Sequence, residues 1–136
     1  MVRNVQSGKE IVVTVANKIG VLADISRVVA DHGINIQALA GWGDADKAQI
    51  MLVTGDNQRA VDALKKKNYT AIHESDVVLV ELENKPGVMK TVTAKLAENQ
   101  IDIKYIYGTT CSCGGPALVV LRTSDNERAL MAFKGK

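Results

Sequence analysis

The segment Asn17–Leu22, NKIGVL, returns as Asn84–Met89, NKPGVM, after a shift of 67 positions (84 minus 17). At that shift residues 11–37 lie over 78–104. Asn17, Lys18, Gly20, Val21, Ala30, Ile34 and Ile36 then meet identical partners, and Ile11/Val78, Val15/Leu82, Ile25/Val92 and Val29/Leu96 are conservative pairs. Further on the shift becomes 69 (123 minus 54), with TGDNQRAV at 54–61 over TSDNERAL at 123–130. The two extra residues fall between GWGDADKAQ and GTTCSCGGPAL. Strand side chains alternate with period two, so an insertion of two keeps every later side chain on its own face. A hairpin tip tolerates such a change. The chain is a duplication, and a fold that suits one copy must suit both.

One copy reads as follows. EIVVTV at 10–15 is β-branched and predicts a buried strand. After the loop Asn17–Gly20 the apolar spacing becomes helical, with Val21, Leu22, Ile25, Val28 and Val29 on one side. Gly33, after His32, fits a helix stop. INIQALAG at 34–41 predicts a second strand, GWGDAD a turn, and AQIMLVT at 48–54 a third strand. Asp56 or Asn57 caps a second helix, QRAVDALKKK, whose final lysines 65–67 complement the helix dipole as a solvated end. YTAIHES at 69–75 is the fourth strand. The order is βαββαβ, the ferredoxin-like plan of an antiparallel sheet with both helices on one face.

The second copy repeats this plan with strand 77–82, helix 88–99, strands 101–109 and 117–123, and helix 126–134, and then ends at Lys136. The expected fold class is therefore α+β: two tandem ferredoxin-like βαββαβ units, 9–75 and 76–136, the second lacking its last strand. Three suppliers of that strand are open: the N-terminal VRNVQ, a partner chain, or none. Only Glu74–Asp76 separate the units, too few for a free linker. Strands 48–54 and 117–121 are apolar on both faces, so the face away from the helices should meet another sheet or subunit.

Composition narrows the functional classes. An apolar fraction of 46% supports a packed core, and charged residues at 24% exclude a disordered composition. A net charge of +2 and 4% aromatic residues argue against a nucleic-acid partner. No apolar run reaches the roughly 20 residues of a membrane helix, and MVRNVQSGKE has no apolar signal region. Cys111 and Cys113 stand one residue apart, unlike a secreted disulfide framework, which predicts a cytoplasmic chain.

The strand–loop–helix passage is the candidate site. Gly20 and Gly87 lack a Cβ, so a ligand can approach the backbone. The first helical turn leaves N–H groups without intrahelical partners, and these, with the dipole, favour a small carboxylate. Asn17 and Asn84 supply hydrogen-bonding amides beside them, and Pro86 fits a loop or first turn. At the start of the second strand, Asn35 in one copy and Asp102 in the other suit an ammonium group. Together these describe a receptor for an α-amino acid. Equally, the glycines could make only a tight turn, and Asn35 and Asp102 could only cap strand ends.

The NKxGV loop before an amphipathic helix, followed by INI or IDI opening the next strand, resembles the ACT domain, a small ligand-binding regulatory module. The resemblance spans about residues 9–134 as a tandem pair, and IDIKYIYG is similar to stand-alone tandem ACT proteins. It implies that two units pair through their second strands and bind amino acids at the seam. The loop Asn17, Lys18, Ile19, Gly20, Val21, Leu22 would then face Asp102 and Ile103. Correspondingly Asn84, Lys85, Pro86, Gly87, Val88, Met89 would face Asn35 and Ile36, giving two non-identical sites. Ile19 departs from the proline common in the family. The implied protein is a non-catalytic amino-acid sensor that forms a homodimer or larger homo-oligomer, needs no cofactor, and acts on an enzyme in trans.

Other features have plainer readings. Cys111 and Cys113 form C-x-C at a hairpin tip. A thiol-dependent metal or redox protein is the alternative function they offer, but no further Cys or His lies nearby and structural zinc needs four ligands. A purely structural assembly module is the other alternative. His32 sits at a helix C-terminus, His73 in a strand near Glu74, and neither has a nucleophile partner. Tyr105 and Tyr107 share one strand face, with Ala38 and Ala40 at the matching positions of the first copy, and no RNA-binding aromatic motif accompanies them, so sheet packing or an interface is expected. Trp42, in the predicted turn, covers a pocket or anchors the hairpin.

Overall fold

The computed structural model describes residues 2–110 and 114–134. In chain order they form β1 (Val2–Ala16), α1 (Val21–Asp31), β2 (Ile36–Asp44), β3 (Lys47–Thr54), α2 (Asn57–Lys66), β4 (Ile72–Leu82), α3 (Val88–Glu98), β5 (Ile103–Thr109), β6 (Ala117–Thr123) and α4 (Asn126–Lys134). The class is α+β with antiparallel pairing. Two compact units result. Lys9–Ser75 form the first, and the described residues of Met1–Gly8 and Asp76–Lys136 form the second.

In the first unit the strands run β2-β3-β1-β4. Register places Ile11 opposite Leu52 and Val13 opposite Ile50, so these four share a face. Against that face pack Ile25, Val28 and Val29 of α1 and Ala60 and Leu64 of α2, all buried. Each of these Ile, Val and Leu side chains contributes about 1.5–3 kcal/mol on leaving water, Ala60 less. The opposite-face residues Val12, Met51 and Val53 are buried too.

The second unit repeats the layout as β5-β6-β4-β1, with residues 2–8 of β1 in the fourth-strand place. The N-terminal segment therefore fills the position left open at the C-terminal end of the duplication. Val5 is buried in a core with Leu96, Leu121 and Phe133, and Val2 packs against it. Because 2–8 serve one unit and 9–16 the other, β1 is far longer than the strand expected at 10–15. Likewise β4 joins the strands expected at 69–75 and 77–82. It begins only at Ile72 because Asn68 and Tyr69 end α2. Asn68 has φ 70°, and the Tyr69 N–H donates to Leu64 O at 3.1 Å. The turn expected over GWGDAD is confined to Ala45–Asp46, with φ 55° at Ala45, and β2 runs through both glycines.

A box that both copies contain locks each unit. The Asn57 Oδ1 accepts from the Thr54 N–H (3.1 Å) and hydroxyl (2.6 Å), while its Nδ2 donates to Lys9 O at 2.9 Å. Asn126 repeats this with Thr123 (3.0 and 2.8 Å) and Asp76 O (2.9 Å). Asp56 caps α2 by accepting from the Arg59 N–H, and Asp125 does the same for Arg128. Aspartate is therefore the cap, and asparagine ties the helix start to two strands.

Candidate functional site

Gly20 is the N-cap of α1 with φ 91°, and Gly87 that of α3 with φ 87°. A Cβ at either position would meet nothing within 4 Å. The restriction to glycine is therefore conformational rather than steric. Neither helix start has a side-chain cap, which leaves first-turn amides available at the loop. The Asp24 N–H returns to Gly20 O at 2.9 Å and the Thr91 N–H to Gly87 O at 3.2 Å, so both loops close alike.

Asn17 is more engaged than its sequence suggested. Its N–H donates to Asp46 O at 2.8 Å and its Nδ2 to Ala45 O at 3.2 Å, bracing the β2–β3 hairpin. The fit requires glycine at 43, where a Cβ would stand 2.6 Å from Asn17 Nδ2. Residues 111–113, and with them Cys111 and Cys113, lie outside the described residues.

Between the loop and β2 lies a cleft of about 560 Å³, within the range of small-molecule sites. Asn17, Lys18, Gly20, Val21 and Leu22 form one wall, and Leu39, Gly41 and Trp42 the other, over Ala48 and Ile50. Ile19 at the tip is fully exposed, and Leu22, Leu39 and Trp42 are 40, 43 and 51% exposed, an apolar rim. The sequence places Leu39 and Gly41 in a strand and offers Trp42 as a pocket cover, but does not assign this wall to the site. Its signal was the Gly41-x-Gly43 spacing, read there as turn rather than strand.

The strand wall is also an unpaired edge. Among the described residues β2 pairs with β3 alone and β5 with β6 alone. The Asn17–Asp46 bond sets the alternation along β1 and β3: Ala48, Ile50 and Leu52 bond to β1, so Gln49, Met51 and Val53 bond to β2. Leu39, Gly41 and Gly43 therefore turn their N–H and C=O groups outward at the cleft.

The second-strand elements sit apart from the loop of their own unit. The nine residues of β2 separate Asn35 from Gly43 and Asn17, roughly 25 Å at about 3.3 Å per residue. Asn35 is exposed, and its C=O accepts from the Gly55 N–H at 3.0 Å. Asp102 is exposed and pairs with Lys104 at 3.2 Å, so its carboxylate already has a cation beside it. Ile36 and Ile103 are half-buried against the cores, as is Val21, while Val88 is a core member. In the second loop Lys85 lies 3.7 Å from Glu83, Pro86 is exposed and Met89 is 42% exposed. No single unit brings its own loop and strand-two start together.

On the other side of the first loop is a second cavity of about 430 Å³, lined by Thr14, Lys18, Asp24 and Tyr69 among others. Arg27 and the Tyr69 hydroxyl both donate to Asp24. The bond to Asp24, together with burial, raises the Tyr69 phenol above its ordinary value. His32 bonds the Val28 carbonyl through Nδ1 at 2.9 Å, a helix-end contact. Tyr105 and Tyr107 stack at 6.5 Å, with Arg122 5.9 Å over the Tyr105 ring. Among the described residues no group of three or more His, Cys, Asp or Glu could hold a metal, and no helix is long and apolar enough to cross a membrane.

The family model described as an ACT domain pair matches residues 7–133. The chain belongs to that family. An ACT pair is a regulatory, ligand-binding module. Among solved structures, a protein from Bacteroides thetaiotaomicron is 27% identical, with a TM-score of 0.88 over 98% of this chain and 90% of that one. The ligand-free regulatory subunit of aspartate kinase from Thermus thermophilus is 17% identical, with a TM-score of 0.69 over 98% and 97%. A structure of aspartokinase alpha and beta subunits is 22% identical, with a TM-score of 0.67 over 99% and 97%. The last two share the fold. No curated protein matches the chain.

Proposed function

We propose that this ACT pair is a non-catalytic regulator whose effector is an amino acid, bound where a glycine loop of one unit meets the second-strand start of another. The observation that carries the reading is the twice-built helix start, a left-handed glycine cap with no side-chain cap on its first-turn amides, which in the first unit faces an unpaired strand edge across a cleft. The amides and Lys18 or Lys85 receive the carboxylate. Asn35 or Asp102, about 25 Å from its own loop by strand length, receives the ammonium only when contributed by a different unit. Since β2 and β5 each pair on one side, that unit comes from a second copy of the chain. Ligand then favours the paired state, a population shift that an enzyme in trans reads out. The shared fold with an aspartate kinase regulatory subunit is consistent with such an output.

A thermal-shift screen of the common amino acids tests this. A ligand at 100 times its dissociation constant adds about 2.7 kcal/mol, several degrees for a chain of this size. Gly20→Val should abolish the shift at the first site and Gly87→Val at the second, with native far-UV spectra. Leu22→Glu, on an exposed position, serves if the valine variants fold poorly. A shift that survives all three places the ligand elsewhere, and the absence of any shift leaves an assembly module.

A further inference from the structure

We infer that the cleft of the first unit selects amino acids with uncharged, apolar side chains; this rests on the reading just given. Below the amides that would hold the ligand's backbone groups, the floor is Gly41, Ala48 and Ile50, and the sides are Val21, Leu22 and Leu39. Lys18 is the sole ionisable side chain of the lining, and Asn17 spends its amide donor on the hairpin. A lysine or arginine side chain would find no carboxylate in the lining and would place its charge against aliphatic carbon. An aspartate or glutamate would need a second cation after Lys18 had met the α-carboxylate. An aliphatic side chain replaces water on the floor and on the exposed rim of Leu22 and Leu39.

The duplication supplies an internal contrast. At the matching positions the second unit carries Lys90 for Ala23, Thr109 for Trp42 and Thr110 for Gly43. The floor and sides stay apolar in both copies, with Val88, Met89, Ile106, Gly108, Ala117 and Val119 at the matching positions, so the contrast is confined to the three polar replacements. A hydrophobic floor discriminates by both size and polarity to a similar, limited degree: a methylene changes affinity by roughly 10–200-fold, and an isostere that adds a hydroxyl is rejected by about 100-fold. The expected order is leucine, isoleucine and valine well ahead of alanine, threonine below valine, and lysine, arginine, aspartate and glutamate last.

Calorimetric titration of the full chain tests this order. Leu39→Glu, at a position 43% exposed, should weaken leucine at least 10-fold, Leu39→Met should retain it, and Met131→Glu, 71% exposed on α4 and in neither loop, should leave it unchanged. If a charged amino acid binds best and is lost in Gly20→Val, the selectivity is wrong and the loop reading stands. Leucine binding that ignores Leu39→Glu also overturns the selectivity. If no amino acid of either kind binds, both fail.

Discussion

Gln100 ends α3 at φ 56°, where its twin Gly33 ends α1 at φ 71°. The bonds are the same: Ile101 N–H to Leu96 O at 2.9 Å and Ile34 N–H to Val29 O at 3.3 Å. A residue with a Cβ loses about 1–2 kcal/mol in this region, and glycine returns part of that as unfolded-state entropy. Gln100→Gly should therefore stabilise the protein by about 0.5–1 kcal/mol, a rise of a few degrees in a thermal melt. Asn57→Ala removes three bonds at once and should cost about 1–3 kcal/mol, with Asn126→Ala costing a similar amount, since both boxes are built alike. Tyr69 gives a pH signature. Its folded-state pKa is raised, first by the bond to Asp24, so above an ordinary value near 10 the unfolded chain loses the proton while the folded chain keeps it. That contribution is complete below about pH 10 and falls away as pH rises through the folded value. Denaturant melts across this alkaline window should show a steeper loss in wild type than in Tyr69→Phe.

At the scale of elements, the N-terminal strand is the least ordinary part. Residues 2–8 close the second unit, with Val5 in its core beside Phe133. Deleting them should lower stability and bare one side of residues 77–82 of β4, seen as lost hydrogen-exchange protection there. Val5→Asp should do the same in milder form by placing a carboxylate in that core. Protection that survives the deletion would remove the strand from the unit. The sequence carried most of this architecture, because the repeat doubled every signal and the apolar periodicities matched their elements. It left the strand's role open because VRNVQ is polar and weakly alternating, and only its neighbours give it a face. In the site, Gly20 and Gly87 were legible as backbone positions. The bracing by Asn17 and the ion pair of Asp102 depend on residues distant in sequence or on side-chain direction, which spacing alone does not give.

At the scale of the molecule, the proposed effector site is complete only if strand edges from two copies meet. The pairing alternation turns the N–H groups of Leu39, Gly41 and Gly43 away from β3, so a proline at 39 removes an outward donor and leaves the β2–β3 ladder intact. Ile106→Pro is the matching change on β5. An edge that joins two copies through its backbone cannot tolerate such a residue, whereas an edge that faces water can. Light scattering on eluting protein should find wild type as a dimer or larger, and one of the two variants should run as a monomer with an unchanged far-UV spectrum. The variant that dissociates identifies the edge used, and in it amino-acid binding should also be lost, because the loop no longer faces its ammonium acceptor. If instead both prolines leave size and binding untouched, the two halves of the receptor are not joined through these edges. A wild-type chain that binds ligand as a monomer would lead to the same conclusion directly.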